Sequence, residues 1–331
     1  MGVAAQQMKT DLLVLGELCV DLIIPVCREI RFGQHEQVVE TTTLTMGSSS
    51  AITACGAAAL GTSTVLASVR GDDTFGRYLD AELRRRGVGT TLVRVDATRP
   101  TGASTHLTRP DGDRAILTSL GSIGCTSAVD VPDAILKTFR HLHIGSYFLQ
   151  RGLWPDAPGL FARARTLGLT TSLDGNFDPA LSWDSGILAV LQTTDVFFGN
   201  EQEICGVARS ADVRAAINTL LEVMPLGAIV VCKLGADGAT ATRRDGQGQR
   251  TDAAGIPETV GEIVDTVGAG DTFAAGFITA RLREMSVAES LAVAVSCGSA
   301  STRGSGGVSA QPDWATAQTL AATVRVAQSR G

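Results

Sequence analysis

The sequence lacks several features that would assign a protein to a class at once. Its seven cysteines are scattered without a C-x-x-C pair, so the spacing of a disulfide framework or a zinc site is missing. No apolar run approaches the roughly 18 residues that a membrane span needs. The first residues contain neither a basic nor an apolar segment of the secretory type. These absences predict a cytoplasmic protein with reduced cysteines and no membrane partner.

Charge is also sparse. Only 19% of residues are charged and the formal net charge is −6, whereas a nucleic-acid surface needs clustered Lys and Arg. The one dense basic run, at 84–86, lies at the end of a predicted helix before Gly87, where it complements the helix dipole. We therefore expect no nucleic-acid partner. The 331 residues are 44% hydrophobic, enough to bury the core of a single α/β domain spanning residues 1–331.

Two phosphate-binding motifs are missing as well. The string G-x-x-x-x-G-K-[ST] of a P-loop does not occur in the chain. A dinucleotide-binding fingerprint would need a third glycine where Phe273 follows Gly268 and Gly270, and it would open the first βαβ unit instead of lying near the C-terminus. Any phosphate site in this chain must therefore be of another kind.

Short apolar runs bounded by glycine alternate with helical patterns along the chain. Helices are predicted at 51–60 and 75–86, and buried strands at 12–16, 63–68, 141–144, 170–173, 196–198 and 228–232. Regular alternation of this kind indicates βαβ units. We expect a doubly wound, mostly parallel α/β sheet with helices on both faces.

A second, smaller sheet is predicted from two separate segments. Residues 18–45 mix β-branched and polar residues, and the runs 103–108 and 114–119 flank a Pro-Asp-Gly-Asp turn that indicates a hairpin. Together, residues of about 18–45 and 100–120 would form a lid over the ends of the large sheet. Open edges on such a lid favour pairing with a second copy, so a homodimer through the lid is predicted.

The most informative run is D-T-V-G-A-G-D at 265–271. Its glycines allow backbone N–H groups to converge at a helix start, which makes an anion-binding site. The carboxylate of Asp271 would repel an anion bound there, so an acid at this position is unfavourable unless it takes part in a reaction. A phosphoryl group held by the amides, with an acceptor hydroxyl facing the acid, explains both features. The alternative is a glycine-rich turn with a structural role alone.

This run resembles the D-T-x-G-A-G-D signature of the PfkB (ribokinase-like) family of carbohydrate and nucleoside kinases. Further motifs resemble that family in the same order along the chain, at residues 47–61, 69–76, 100–102, 200–203 and 233–238. The resemblance implies a ribokinase-like fold. It also implies ATP-dependent phosphorylation of a small sugar or nucleoside acceptor.

The resemblance assigns roles at the phosphate end of the reaction. Asp271 would be the catalytic base, and the amides of Gly268, Ala269 and Gly270 would hold the transferring phosphoryl group. Glu203, with Asn200, would organise Mg²⁺ through water. Because asparagine followed by an acid three residues later also caps a helix, a capping role for this pair is compatible.

Other roles are implied for the nucleotide and for a second cation. Lys233, Gly235 and Gly238 would form the turn beside the nucleotide, with an ordinary hairpin turn as the alternative. Asp265 would help to bind a monovalent cation such as K⁺.

The acceptor end departs from the family pattern. Asp21, Gly47 and Asn176 match it, but Ser48 replaces a second glycine and Ile52 replaces an asparagine that often contacts sugar hydroxyls. The acceptor would then differ from ribose or fructose, or be bound through Ser48 and Ser49.

Two alternatives to a sugar kinase stay open. Ile52 and Phe177 could contribute to a slot for a nucleoside base, and a catalytically idle sugar-binding relative is the third hypothesis. Asp178 lies where many family members have arginine, which argues against a phosphorylated acceptor. His143 ends an apolar strand and is predicted to be a core residue.

Overall fold

The computed structural model describes residues 9–27, 29–110, 113–258 and 261–330. Its strands are β1 Thr10–Leu15, β2 Cys19–Pro25, β3 Thr43–Met46, β4 Thr64–Gly71, β5 Gly89–Asp96, β6 Gly102–Thr108, β7 Arg114–Ser119, β8 Phe139–Ile144, β9 Thr170–Asp174, β10 Val196–Asn200, β11 Ile229–Lys233, β12 Ala239–Asp245, β13 Gly248–Ala254 and β14 Val326–Arg330. Its α-helices are α1 Ser49–Ala59, α2 Thr74–Arg85, α3 Asp133–Leu136, α4 Ala157–Thr166, α5 Ile187–Leu191, α6 Glu201–Ala208, α7 Val213–Val223, α8 Ala269–Leu282, α9 Val287–Ser301 and α10 Trp314–Ala321.

The large sheet has the strand order β14-β13-β12-β11-β10-β9-β8-β1-β4-β5. The strands from β11 to β5 in this order are parallel, and β12, β13 and β14 are added in antiparallel fashion. The prediction of a mostly parallel sheet is confirmed. A two-residue loop at 246–247 joins β12 to β13 in an antiparallel hairpin.

Alternating side chains of the central strand pack into two separate cores. Leu13 and Leu15 of β1 belong to one cluster with residues of α4 to α7, and Leu12 and Val14 belong to another with residues of α1, α8 and α9. Because successive side chains of a strand point to opposite faces, a sheet buried on both faces needs apolar residues at every position. Helices on both faces are therefore confirmed. The organisation of residues 1–331 as one domain stays a prediction.

The lid sheet has the strand order β3-β2-β6-β7. β2 pairs with β6 in parallel, and β6 pairs with β7 in the predicted antiparallel hairpin. Asp111 and Gly112 of the predicted turn lie outside the described residues. The register aligns Asp21, Ser104 and Thr118 across three strands, so these side chains share one face of the lid.

The carboxyl ends of β1, β8, β9, β10 and β11 lie at one edge of the large sheet, because these strands are parallel. Neighbouring β1 and β8 are followed by Gly16 and Gly145, and α1 begins between them. A Cβ atom on Gly16 would come within 2.0 Å of Ser50 Oγ. Strand ends at such a change of winding direction form a crevice for ligands, and this crevice is where the site is built.

Asp73 connects α2 to the first residues of the lid hairpin. One oxygen, Oδ1, accepts hydrogen bonds from Gly76 N–H at 2.8 Å and from Thr101 Oγ1 at 2.7 Å, and Oδ2 accepts one from Thr101 N–H at 2.7 Å. Partial burial alone would raise the pKa of Asp73, but these hydrogen bonds lower it. The ionised carboxylate is therefore a structural connection between the two sheets.

We expect Asp73→Ala to lower the free energy of unfolding by about 1–3 kcal/mol, since a helix cap and two further hydrogen bonds are lost. Asp72→Ala is the matched control, because its ion pair with Arg77 is exposed and should contribute less than about 1 kcal/mol. Urea unfolding near pH 7 measures both. Because the pKa of Asp73 is lower in the folded than in the unfolded state, the ionised carboxylate stabilises the fold fully only above the unfolded pKa. The effect of Asp73→Ala should therefore shrink as the pH falls below about 4. Equal losses for the two variants would contradict the assignment.

Candidate active site

A cavity of about 310 Å³ lies between the carboxyl edge of the large sheet and the lid. It brings together residues from sequence positions that are up to 250 apart. The predicted site residues on its walls are Asp21, Ser48, Ile52, Asn176, Gly268 and Asp271. The predicted acceptor residues and the predicted base therefore share one space.

Asp271 lies at the meeting point of two helix N-termini. It is in the first turn of α8, and Gly268 caps that helix with φ 71°, a left-handed conformation that favours glycine. Its Oδ1 accepts a hydrogen bond of 2.5 Å from the hydroxyl of Ser49, the first residue of α1. The hydroxyl of Thr53, one turn later, donates to the Asp271 carbonyl at 3.3 Å. The amino ends of α1 and α8 thus meet at Asp271, through the side chains of Ser49 and Thr53.

Removal from solvent is the largest influence on this acid, and it raises the pKa of Asp271 to about 7. The Ser49 hydroxyl and the ammonium of Lys233 lower the pKa, while the charges of Asp174 and Glu17 raise it. A carboxylate whose pKa is close to the operating pH is well suited to accept a proton.

The backbone before Asp271 can receive an anion. Ala269 N–H donates to Thr266 C=O at 3.3 Å. Within the part of the chain that the structure describes, the N–H groups of Gly268 and Gly270 donate no hydrogen bond. Two of the three predicted amides are therefore available to a ligand, and the third is already used in the turn.

The start of α1 separates the roles of two serines. Ser48 has φ 74°, and its hydroxyl donates to Glu17 C=O at 2.6 Å and accepts from Ala51 N–H at 3.1 Å. It thus holds a backbone conformation that is strained for serine, at a cost of about 1–3 kcal/mol, and it caps the helix. Ser49 is the serine whose hydroxyl reaches Asp271.

Gly47 allows the close approach of Asp21. A Cβ atom at position 47 would lie 2.1 Å from Asp21 Oδ1. The same carboxylate is 3.4 Å from His106 Nε2 on the lid. Asp21 is buried. Its position on the cavity wall is fixed by Gly47 on one side and by His106 on the other.

Glu17 is a site residue that sequence reasoning missed. It is buried on the cavity wall, and its Oε2 accepts hydrogen bonds from Ser50 Oγ at 2.5 Å and from Gln150 Nε2 at 2.9 Å. Its place directly after β1, at the carboxyl edge of a parallel sheet, is the signal that could have identified it.

The lid adds a cation that was also missed. Arg114 lines the cavity from β7, and its Nη2 donates to Thr266 Oγ1 at 3.2 Å, which connects the lid to the 265–271 run. Arg114, Ile116 and Thr118 alternate along β7 and line the same cavity, so strand periodicity could have grouped them once the hairpin was predicted.

The segment after β9 turns its side chains in different directions. Asn176 lines the cavity and donates from Nδ2 to Ser146 Oγ at 2.8 Å. Phe177 is 48% exposed and packs edge-on against Trp183, and it is not among the residues that line the cavity. The structure therefore gives no support to a base slot that includes Phe177.

Asp178 caps its own loop. Its carboxylate accepts hydrogen bonds from the N–H groups of Ala180, Ser182 and Trp183. Burial alone would raise the pKa of Asp178, but these hydrogen bonds lower it. The charge of Asp178 is therefore directed into its own loop, and the inference against a phosphorylated acceptor stays a prediction.

Asn200 and Glu203 form the predicted capping box of α6. Asn200 N–H donates to Glu203 Oε2 at 2.8 Å, and Glu203 N–H donates to Asn200 Oδ1 at 2.9 Å. Burial raises the pKa of Glu203, and the neighbouring Lys233 opposes that rise. The capping role is confirmed, and the role of the pair toward Mg²⁺ stays a prediction.

Lys233 ends β11 in register with Asn200 of β10. Its Nζ donates to Asp174 Oδ2, at the end of β9, over 2.8 Å. Gly235 and Gly238 follow in a short turn that leads into the antiparallel strand β12. The hairpin geometry is therefore present, and the nucleotide contacts of this turn stay a prediction.

Asp265 joins two loops. Its Oδ1 accepts from Val267 N–H at 3.0 Å and its Oδ2 accepts from Gly306 N–H at 2.9 Å. Both oxygens thus hold the glycine-rich run against the 306 segment. Binding of a monovalent cation at Asp265 stays a prediction.

His143 is a core residue, as predicted. It is fully buried, its Nδ1 is 2.8 Å from Ser172 Oγ, and burial lowers its pKa to about 3. It is therefore neutral at physiological pH. No helix within the described ranges has both the length and the apolar character to cross a membrane.

Comparisons with known proteins agree with this geometry. Residues 9–314 match the pfkB family of carbohydrate kinases. A sugar kinase of Archaeoglobus fulgidus is 30% identical over 71% of this chain and 89% of its own length. An ATP-dependent ribose-1-phosphate kinase of Halopiger xanaduensis is 30% identical over 80% and 83%. A 5-dehydro-2-deoxygluconokinase of Bacillus cereus is 27% identical over 85% of each chain.

Solved structures show the same fold. Arabidopsis thaliana ribokinase, complexed with ribose and ATP, superposes with a TM-score of 0.79 at 22% identity and covers 95% of this chain and 99% of its own. An E. coli structure of the ribokinase II type, with ATP and Mg²⁺, gives a TM-score of 0.80 at 21% identity, with coverage of 94% and 98%. The fold is ribokinase-like, and the chain belongs to the pfkB family of carbohydrate kinases.

Proposed function

We propose that this protein transfers the γ-phosphoryl group of ATP to a hydroxyl of a small sugar or sugar-like acceptor. The observation that carries the proposal is the position of Asp271. Its carboxylate lies at the amino end of α8, beside two available amides, and it faces the cavity that Asp21 borders from the lid. An acid beside an anion site is what a hydroxyl acceptor requires.

In the proposed reaction, Asp21 and Asn176 orient the acceptor and one of its hydroxyls lies against Asp271. The hydroxyl oxygen forms a bond to the γ-phosphorus, the bond from that phosphorus to the bridging oxygen of ADP breaks, and the proton passes to an Asp271 oxygen. The amides of Gly268 and Gly270 stabilise the charge on the transferring group. Phosphoryl transfer needs mainly such positioning and electrostatic stabilisation.

The residues present fit Mg²⁺ held through water. Glu203 and Asn200 supply oxygen atoms, which Mg²⁺ prefers, and the ion commonly keeps several waters beside one or two carboxylates and substrate phosphates. Across the residues that the structure describes, no group of three or more His, Cys, Asp or Glu side chains could hold a metal directly. Bound Mg²⁺ would neutralise part of the charge of the nucleotide phosphates.

The names of the relatives support a sugar-like acceptor. They include a ribose-1-phosphate kinase and a 5-dehydro-2-deoxygluconokinase, whose acceptors carry an anionic group. Arg114 on the cavity wall is a cation that could meet such a group. A nucleoside acceptor is the alternative, supported by a structural neighbour that is an adenosine kinase of Sinorhizobium meliloti. The packing of Phe177 away from the cavity favours the sugar.

A coupled assay of ADP release, run with sugars, sugar acids, sugar phosphates and nucleosides as acceptors, tests the proposal. Turnover with a sugar-like acceptor would support it, and turnover with nucleosides alone would replace it by the alternative. ATP binding without turnover across the whole panel would identify an idle relative. A homodimer through the lid, K⁺ at Asp265 and a cytoplasmic location remain predictions.

Asp271→Asn should reduce kcat to background while ATP still binds, because the amide keeps the shape of the acid but cannot accept the proton. Asp237→Asn, in the turn after β11, is a control for the substitution itself. Steady-state kinetics and nucleotide titration measure the two effects. A near-native kcat for Asp271→Asn would remove the assignment of the base.

Ser49→Ala should shift the pH dependence of kcat/KM. The base acts only when it is deprotonated, so activity falls as the pH drops through the pKa of about 7. Loss of the Ser49 hydroxyl, which lowers this pKa, moves the acid limb to higher pH by about one unit or less. Groups facing the acid from other elements, Glu17, Asp174 and Lys233, are unchanged. An acid limb that does not move would show that the hydrogen bond is absent in solution.

A further inference from the structure

The chain has three lysines, Lys9, Lys137 and Lys233, and Lys233 lies beside the first turn of α8. The side chain of Lys233 is 15% exposed, and that of its partner Asp174 is 1% exposed. Their contact is a hydrogen-bonded ion pair of 2.8 Å. Burying such an ion pair costs desolvation free energy. Packing within the sheet therefore does not by itself explain why the pair lies here.

The ammonium of Lys233 lies directly beside the first turn of α8. A Cβ atom on Gly270 would be 3.4 Å from Lys233 Nζ and 3.6 Å from its Cδ. Because glycine has no side chain, nothing at position 270 separates the ammonium from the amides of the turn. Lys233 Nζ therefore borders the space beside Gly270, and its charge lowers the pKa of Asp271, the next residue.

The charge around that space is mostly negative. Burial alone would lower the pKa of Lys233. The negative charges of Asp174, Glu203 and Asp271 raise this pKa. His143, another titratable group near the lysine, is held neutral by burial, with a pKa of about 3. Arg114 is directed to Thr266, at the lid side of the run. A phosphoryl group entering here meets one cation of the chain, Lys233, among three acids.

We propose that Lys233 is a catalytic residue that donates a hydrogen bond to the transferring phosphoryl group, and that Asp174 is a positioning residue that holds its ammonium beside Gly270. This inference rests on the proposed kinase function. An ammonium has three donors, and one of them is used by Asp174. Lysine stays protonated throughout, so the bonds made and broken are those of the transfer itself.

The second oxygen of Asp174 explains how the ammonium is held in place. Asp174 Oδ1 accepts from Asn176 N–H at 3.1 Å while Oδ2 accepts from Lys233. The carboxylate is thus fixed by the backbone that follows β9. Without it, the ammonium would be drawn toward Glu203 or toward Asp271, the proposed base.

Nucleotide binding tests the contact without any need for turnover. A non-hydrolysable β,γ-imido analogue of ATP and ADP are titrated by calorimetry into the wild type, Lys233→Met and the exposed control Lys137→Met. A lost charge-assisted hydrogen bond should weaken analogue binding by about tenfold or more, and ADP binding by less than about threefold. Lys137→Met should change neither. An equal loss for both ligands, or no loss, would overturn the proposal.

A double variant guards against misfolding of the single one. Lys233→Met combined with Asp174→Asn removes both members of the buried ion pair, so it should fold where the single variant does not. It should show the same selective loss of analogue binding. Retained preference for the analogue in this variant would also overturn the proposal.

Kinetics with the acceptor from the ADP-release screen supply a second signature. Lys233→Met should lower kcat by about a hundredfold with little change in KM for the acceptor. Of the groups facing Asp271, Ser49 and Lys233 lower its pKa while Asp174 and Glu17 raise it. The acid limb should therefore move to higher pH in Lys233→Met and to lower pH in Asp174→Asn. Shifts in one common direction would contradict the assigned roles.

The proposed function and the role of Lys233 can be refuted separately. A wild type that binds no nucleotide would refute both the proposed function and this inference. A wild type that phosphorylates an acceptor, together with a Lys233→Met variant of near-native kcat and analogue affinity, would refute the role of Lys233 alone.

Discussion

The hydrogen bond between Ser49 and Asp271 joins the amino ends of two helices, and the geometry of the site depends on it. At 2.5 Å it holds the start of α1 against the start of α8. Desolvation raises the pKa of Asp271 to about 7, and the Ser49 hydroxyl and the Lys233 ammonium limit that rise. A more exposed acid would be a weaker base, and a more deeply buried one would be protonated at neutral pH.

The same constraint explains how three consecutive serines divide their roles. Ser48 adopts φ 74° and caps α1, Ser49 reaches Asp271, and Ser50 donates to Glu17. Only the middle hydroxyl is directed at the candidate base. A substitution of glycine by serine at position 48 therefore changes the backbone energy of the helix start more than it changes the contacts to an acceptor.

Much of the fold and part of the site could be predicted from the sequence, for a physical reason. The 265–271 run, the capping box at Asn200 and the alternating strands and helices are local patterns, and local patterns are readable. Arg114 was missed because its direction depends on the register of a hairpin whose first strand pairs Gly102 with Cys19. Strands β13 and β14 were missed because the polar runs at 249–252 and 328–330 lack the alternation of a half-buried strand. The positive φ angle of Ser48 depends on packing in the folded protein, and a serine in the sequence does not indicate such an angle.

The two ends of the site are held by different kinds of contact, and this difference bears on how the acceptor is chosen. The phosphate end is held by a hydrogen bond from Gly306 N–H to the Asp265 carboxylate and by the packing of Ile52 against Gly268 and Gly307. The acceptor end is closed by a separate small sheet, connected to the run through the partly exposed contact of Arg114 with Thr266. Changes in the lid can thus alter the acceptor without disturbing the anion site. Under the proposed function, the 265–271 run would carry the phosphoryl transfer and the lid would carry the choice of acceptor.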